Sequence, residues 1–289
     1  VLNPKSTGVG SGVINLGANI TTGGAMTFNG DVALGSYNVG LTSSSGGVTI
    51  TGGISLSASL TPQIIQFLDN GSYKISTNNG TSYTSGTVTA TAASISGGTL
   101  SFASNTYSFT PNYSGSVRYL IVGGGGGSGF NYAAGGGAGG LLTGTTSLSS
   151  GTAYSIVVGA GGTAGTSGAG GNGENSTAFG LIAYGGGTGM YSGSRMLGGA
   201  AGGSGGGGSG NSPGDNSTVP GFAGTALQGN SGGAGGGNNG SPGGGGGAGG
   251  VGQDGTLGST DTTIVGGAGG VGSASDITGQ SVYYAGGGG

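Results

Sequence analysis

Blocks of consecutive glycines restrict this chain more than any other feature of its sequence. They include residues 123–127, 135–137, 185–187, 205–208 and 243–247. Glycine has no side chain that can pack, costs about 1 kcal/mol relative to alanine in an α-helix, and weakens a strand. A chain with such blocks either finds its order through its main chain or remains a flexible coil.

Short apolar segments interrupt the glycine blocks and argue against a flexible linker. They lie at 141–142, 154–158, 179–184 and 282–284. The regular conformation left for glycine is polyproline II, with three residues per turn and no hydrogen bonds inside the helix. Its N–H and C=O groups need partners when buried, and adjacent helices can supply them. We therefore predict that residues 123–289 form a bundle of packed polyglycine II helices with short β segments.

Other glycine-rich architectures fit the sequence less well. Collagen requires glycine at every third position together with abundant proline, whereas this chain has six prolines and an irregular glycine pattern. Silk-like stacking of strands stays open, although Asn, Asp and Pro interrupt the blocks. One heptapeptide, Gly-Gly-Ala-Gly-Gly-Val-Gly, occurs at 246–252 and again at 266–272, which indicates repeat behaviour.

The composition changes near Val122, since residues 1–122 hold 19 of the 85 glycines and residues 123–289 hold the other 66. The first half alternates apolar and polar residues with the period of a strand, most strictly from Ile54 to Leu60. Gly-Gly and Asn-Gly pairs supply turn signals. The predicted fold is an all-β N-terminal half, containing a small sandwich or solenoid, followed by the glycine-rich bundle, with essentially no α-helix.

Three domains follow from these patterns. Residues 1–60 form an extended or β arm, residues 61–122 a small β domain, and residues 123–289 the glycine-rich domain. The arm has few large side chains to offset its ordering entropy, so we expect it to donate strands to an adjacent copy; a self-contained β-solenoid is the alternative. Aromatic residues in 61–122 are expected to form a core rather than a carbohydrate-binding platform.

The absence of certain residue types excludes several functions. The chain has no Cys and no His, so it lacks thiol nucleophiles, thiolate metal ligands and the commonest general base. Four basic residues against seven acidic ones make nucleic acid an unsuitable partner. No apolar run reaches the length of a membrane span. The sequence therefore predicts no enzyme activity, no catalytic, cofactor-binding or metal-binding residue, and no cofactor.

One near-match to a metal motif deserves a test. Residues 249–257 approach the calcium-binding nonapeptide Gly-Gly-x-Gly-x-Asp-x-U-x, with Asp254 at the acidic position. Thr256 stands where that motif needs an apolar residue, and calcium-binding rolls need tandem copies. We therefore expect no calcium site here. Close packing further predicts that Val at Gly125 or Gly245 is not tolerated, with Gly125 the more sensitive because it follows the strand 119–122.

The segment from Val117 to Gly127, in which a short strand enters polyglycine, resembles the start of the glycine-rich domain of phage tail-fibre and microbial surface proteins. The resemblance continues through 136–144, 151–162, 172–180 and 241–250 to the C-terminal glycines. In related phage adhesins such a domain packs polyglycine II helices in layers, and variable loops bind the host surface. The resemblance implies that architecture for residues 117–289.

Two functions are consistent with these features. The first is a structural subunit of a secreted, self-assembling extracellular filament, whose partners are copies of itself. Low net charge, −3 in 289 residues, offers little resistance to self-association. The second is a phage tail-fibre or cell-surface adhesin, which binds a surface glycan or outer-membrane receptor through exposed loops. An ice-binding protein is a distant third, because no regular Thr-x-Thr array supports it.

Overall fold

Two compact units, Val1–Pro62 and Gln63–Gly289, make up the computed structural model of this protein. The described residues contain no α-helix and a single 3₁₀ turn, Asp69–Gly71, in agreement with the predicted all-β fold. The structure describes the strands between residues 13 and 56, and it describes residues 63–289 apart from 132, 192–199, 211–216, 238–239 and 257–264.

The strands of the first unit pair in parallel, each with the strand three positions later in the chain. This connectivity is that of a three-sided β-solenoid. The strands are β1 (Val13–Leu16), β2 (Ile20–Thr22), β3 (Met26–Phe28), β4 (Asp31–Leu34), β5 (Leu41–Ser43), β6 (Val48–Ile50) and β7 (Ile54–Leu56). The pairs are β1 with β4, β4 with β7, β2 with β5, and β3 with β6.

For the strands between residues 13 and 56, this pairing is that of the solenoid alternative, while donation of a strand to an adjacent copy stays a prediction. The strand predicted from Ile54 is confirmed for β7, while residues 57–60 of the same alternating segment lie outside the described residues. β7 pairs with β4 over three residues and is the last strand of its sheet. Its other edge therefore has no partner strand among those described.

The second unit has thirteen described strands, of which all but the hairpin of β19 and β20 form two packed β layers. They are β8 (Ile64–Phe67), β9 (Ser72–Ser76), β10 (Thr84–Thr87), β11 (Ala93–Ile95), β12 (Gly98–Ala103), β13 (Thr106–Pro111), β14 (Gly115–Val122), β15 (Leu141–Leu148), β16 (Tyr154–Val157), β17 (Ser176–Ala178), β18 (Leu181–Ala183), β19 (Ser273–Ser275) and β20 (Val282–Tyr284). One layer is a six-stranded sheet in the order β11-β12-β13-β16-β17-β18. The other contains the sheet β10-β9-β8 and the pair β14-β15.

Aromatic side chains join the two layers. The Phe67 ring of β8 lies 5.2 Å from the Tyr107 ring and 6.0 Å from the Phe109 ring, both on β13. At the other end of the sandwich, the Tyr119 ring of β14 lies 6.1 Å from the Phe179 ring. Since such aromatic contacts add to the hydrophobic effect, the predicted core role is confirmed for Phe67, Tyr107 and Phe109, whereas Tyr113 is 38% exposed.

The six-stranded sheet crosses the domain boundary that the sequence predicts at residue 122. β13 pairs with β16, so that Tyr107 lies opposite Ile156. The buried core also includes Ile121 and Leu148. Residues on both sides of 122 thus share one sheet and one core, because apolar segments of the glycine-rich half supply strands that residues 61–122 lack.

Beyond the strands, main-chain hydrogen bonds join the glycine blocks with a period of three residues. The N–H of Gly123 donates to the carbonyl of Gly140 (2.9 Å), and three residues later the N–H of Gly126 donates to Gly137 (2.8 Å). Three residues per turn is the period of polyproline II. No block glycine in the described part of the chain has a positive φ. The glycine blocks are therefore polyglycine II helices.

These helices pack as a bundle in which neighbours run in both directions. The N–H groups of Gly186 and Gly189 donate to Gly124 and Gly127, which is a parallel pairing with the same period of three. Each inner helix thus bonds to several others. The helix at 123–127 exchanges main-chain hydrogen bonds with segments 137–140, 162–165, 171–174 and 186–189.

The repeated heptapeptide does not form a repeated structure. In the copy at 246–252 the chain reverses, and the N–H of Gly247 donates to the carbonyl of Gly250 (2.9 Å). In the copy at 266–272 the chain continues as one helix, whose Gly267 and Gly270 donate to successive turns of the segment 242–245. The same seven residues therefore take two paths, and the prediction of repeat behaviour is wrong here.

Close packing between helices explains why most block positions are glycine. A Cβ added at Gly124 would lie well inside 3.0 Å of the Ala160 carbonyl oxygen, and one at Gly245 would meet Gly136 in the same way. Gly125 is different: it is exposed, and the atom nearest to an added Cβ there would be the Gly137 carbonyl oxygen, at 4.0 Å. The expectation that Gly125 is the more sensitive position is therefore wrong, because this position faces outwards.

Gly124 and Gly125 form a matched pair that tests the helix packing. We expect Gly124→Ala to lower the free energy of unfolding by about 1–3 kcal/mol or more, because the methyl group displaces a neighbouring backbone. Gly125→Ala should leave stability unchanged or raise it by up to about 1 kcal/mol. Thermal melting of both variants provides the measurement. Equal losses at the two positions would contradict the bundle.

Tyr107 gives a second test, at alkaline pH. Its hydroxyl lies 2.6 Å from the Leu68 carbonyl oxygen and 2.5 Å from that of Ser72, and burial raises its pKa to about 12. Because the unfolded chain loses this proton near pH 10, stability should fall as pH rises from about 10 to 12. Tyr107→Phe should cost about 1–2 kcal/mol at neutral pH and flatten that fall. An unchanged alkaline slope would contradict the assignment.

Candidate functional site: a cleft between two strand edges

An apolar cleft of about 450 Å³ separates β8 from β14 in the second layer of the sandwich. Residues Ile64–Phe67 form one wall, and residues 117–122 form the other. Phe109, Ile156 and Ala178 lie at the floor and belong to the six-stranded sheet. The cleft is thus bounded on two sides by strands and below by a sheet.

Both walls are strand edges. β8 pairs with β9 and β14 pairs with β15, and no described strand pairs with either of them on the side of the cleft. The N–H of Leu68 donates to Ser72 (2.9 Å), which fixes the phase of the β8–β9 ladder. Because hydrogen-bonded and non-bonded pairs alternate, the main-chain groups of Ile65 and Phe67 point away from β9. They face the cleft without a strand partner.

The cleft exists because the two layers contain different numbers of strands. The sheet at the floor has six strands, whereas the described part of the opposite layer has five, in groups of three and two. β8 packs over β13 through Phe67, and β14 packs over β17 and β18. The floor strand between these two positions is β16. The cleft therefore lies where a further strand would continue the upper layer.

The hairpin of β19 and β20 bridges the two sides of the cleft. At its tip, the Thr278 carbonyl accepts a hydrogen bond from the Tyr83 hydroxyl (3.0 Å). On the other side, Arg118 of β14 donates to the carboxylate of Asp276 at 2.5 Å. Ile277, next to this tip, contributes to the cleft lining. The hairpin pairs with neither β8 nor β14, so it spans the cleft without filling it.

The cleft offers little charge to a ligand. Arg118 is the one charged residue among those lining it, and it forms an ion pair with Asp276 in which both side chains are mostly exposed. The hydrogen bond and the charge of Arg118 lower the pKa of Asp276. Burial raises the pKa of Tyr113, another lining residue. An uncharged, apolar occupant suits these surroundings.

The candidate calcium motif is engaged in main-chain bonding. The Asp254 carboxylate accepts a hydrogen bond from the N–H of Ala234 at 2.7 Å. Leu257, the last residue of the motif, lies outside the described residues. Across the part of the chain that the structure describes, no group of three or more His, Cys, Asp or Glu side chains could hold a metal ion. Asp254 thus closes a helix-to-helix contact.

Sequence reasoning did not find the cleft. The walls contain Ile64 and Ile65, which lie in the predicted small β domain, and the predicted strand 119–122. One sequence feature could have indicated it. These segments are apolar at successive positions rather than at alternate ones, which is typical of strands with apolar surroundings on both faces. The pairing of distant strands was needed to show that each run lies at an edge.

Packed polyglycine II helices capped by a β-sandwich define a glycine-rich structural domain. The family described as "Glycine-rich domain" matches residues 101–289, and the chain belongs to that family. Comparison with curated proteins and with solved structures gives no match. Within the described residues, no helix has the length and hydropathy needed to span a membrane.

Chelation offers a direct test of the role of Asp254. We expect EDTA to leave the melting temperature unchanged, since the carboxylate already bonds to Ala234 and belongs to no acidic cluster among the described residues. Asp254→Asn should cost about 1 kcal/mol or less, because the amide oxygen can still accept the hydrogen bond. A substantial fall in melting temperature on EDTA addition, abolished by Asp254→Asn, would show a calcium site.

Proposed function

We propose that this protein is a non-enzymatic structural subunit of a secreted, self-assembling extracellular filament. The observation that carries the proposal is that β8 and β14 each have an edge without a partner among the described strands, and that both edges face one apolar cleft. An exposed strand edge is a template for pairing with another chain. Natural monomers commonly protect such edges with charge or proline, whereas the β8 edge, Ile64–Phe67, has neither.

The hydrogen bonding that holds the glycine-rich bundle together supports the same role. Main-chain hydrogen bonds in several directions hold each helix, so the bundle does not depend on large side chains or on disulfides. The low charge of the chain, with four basic and seven acidic residues, leaves little electrostatic repulsion between copies. A domain of this kind suits a repeated building element outside the cell.

Electron microscopy of the purified full-length chain tests the proposal. We expect uniform filaments to appear with increasing protein concentration, because association through strand edges follows mass action. Light scattering at several salt concentrations should show little effect of ionic strength, since few charges take part. Particles that stay monomeric at high concentration, with the fold intact by circular dichroism, would contradict a filament subunit.

A second candidate, a tail-fibre or cell-surface adhesin, is favoured by a different observation. The hydrogen-bond register places many helix connections at the end of the bundle away from the sandwich. Phe130, in one of these connections, is 47% exposed. Clustered loops on a rigid scaffold are a common arrangement for binding. The described residues of these connections include 128–131, 133–134, 165–170, 190–191, 208–210 and 217–219.

Cell binding separates the two candidates. A fluorescently labelled chain that binds bacterial cells as discrete particles, and that loses binding when Phe130 is changed to Ser, would favour the adhesin. Tyr283→Ser serves as the matched control, because this exposed aromatic residue (72%) lies on β20, in the sandwich. Filament formation without cell binding would favour the structural subunit.

A further inference from the structure

We propose that the cleft between β8 and β14 accepts residues 54–60 of a second copy as an added β-strand. This inference rests on the proposed filament function and names the contact that would join its subunits. The inserted strand would bond to both walls and complete the upper layer of the sandwich above β16. A single chain would then carry both an acceptor cleft and a donor segment.

The walls of the cleft call for a main chain rather than for a small apolar ligand. The N–H and C=O groups of Ile65 and Phe67 face the cleft, and none of the described strands pairs with them there. Unpaired main-chain groups in apolar surroundings are costly, and a strand satisfies them in series. Side chains at alternate positions of that strand would point to the apolar floor at Phe109 and Ile156.

Residues 54–60 match these demands better than other segments of the N-terminal unit. Ile54, Leu56, Ala58 and Leu60 share one face, and serines occupy the other. The segment has no charge, in agreement with a cleft whose single charged lining residue, Arg118, is already paired. Its seven residues span about 23 Å when extended, enough to cover β8 and most of β14.

The N-terminal residues 1–12 fit the cleft less well. Pro4 cannot donate to a ladder and is unsuited to a strand with neighbours on both sides. Lys5 would bring a charge into apolar surroundings. Residues 6–12 contain one apolar side chain other than glycine, that of Val9. This segment would leave most of the cleft empty.

The link to β8 favours insertion into another copy over insertion into the same one. Residues Thr61 and Pro62 separate Leu60 from Gln63. A two-residue hairpin turn needs positive φ at one or both central positions, which Pro62 cannot adopt and a β-branched residue such as Thr61 resists. The residue before a proline also prefers an extended backbone. The sequence of the link therefore disfavours a hairpin that would return residues 54–60 onto β8 of the same chain.

Insertion is also favoured because the segment would form more main-chain hydrogen bonds in the cleft than it forms in the solenoid. Leaving the solenoid would cost β7 its three-residue pairing with β4. Insertion would replace this single ladder by two, one along the four residues of β8 and one along β14, which has eight residues. The apolar face of the segment would become buried at the same time, which adds a hydrophobic contribution.

Disulfide mapping tests this contact, since the chain has no cysteine of its own. Gln66 lies on β8, one residue from the core-facing Ile65 and Phe67, so its side chain points to the other face. Mixing full-length Gln66→Cys with Ser57→Cys or Ser59→Cys should give a disulfide-linked dimer under mild oxidation. Gln66→Cys mixed with Ser6→Cys is the matched control and should not crosslink.

Each outcome decides between specific arrangements. A Gln66–Ser6 crosslink would overturn the proposal in favour of residues 1–12, and a disulfide within one chain of a doubly substituted variant would overturn it in favour of self-insertion. Filaments without any of these crosslinks would support the filament function but contradict the proposed contact between residues 54–60 and the cleft. Absence of both filaments and crosslinks, in a folded protein, would contradict both proposals.

The alternating pattern supplies a second, independent test. Leu60→Asp places a charge on the face that would enter the cleft, and we expect the protein concentration needed for assembly to rise about tenfold or more. Ser59→Asp places the same charge on the opposite face and should change that concentration by less than about threefold. Equal effects of the two variants would overturn the proposed orientation. Unchanged thermal melting of both confirms that each variant is folded.

Discussion

The structure of the second unit depends on hydrogen bonds between main chains that carry no side chains. A polyglycine II helix makes no hydrogen bonds within itself, so each block gains order only when neighbours accept and donate at every third residue. Glycine makes this possible because a methyl group at positions such as Gly124 would collide with the next backbone. The bundle is therefore cooperative: an inner helix is stable only with its neighbours in place.

The sandwich determines where these helices begin. Short apolar segments between the blocks form strands such as β15, β16 and β18, which fix the ends of the helices at one level. Their side chains enter the same core as those of residues 63–122. Side-chain burial at one end thus aligns helices whose own interactions are almost all between main chains, and it unites two segments of very different composition in one unit.

The cleft follows from the same construction. The floor sheet draws strands from both segments and reaches six, whereas the described strands of the opposite layer number five and leave an opening above β16. A core of moderate size with an open edge is a natural place for assembly, because completing it buries apolar surface and satisfies main-chain groups together.

The sequence by itself determined the all-β character, the polyglycine II conformation of the blocks and the strands at the apolar segments, because glycine content and side-chain alternation act locally. It did not determine which blocks are neighbours. The prediction for Gly125 was therefore wrong, because a Cβ added there faces outwards. The domain boundary predicted at residue 122 likewise divides a continuous sheet. The heptapeptide at 246–252 and 266–272 shows the reason most directly, since identical residues reverse in one place and run straight in the other. A chain segment without side chains carries almost no information about its partners, and only the tertiary structure decided the packing, the free strand edges and hence the cleft.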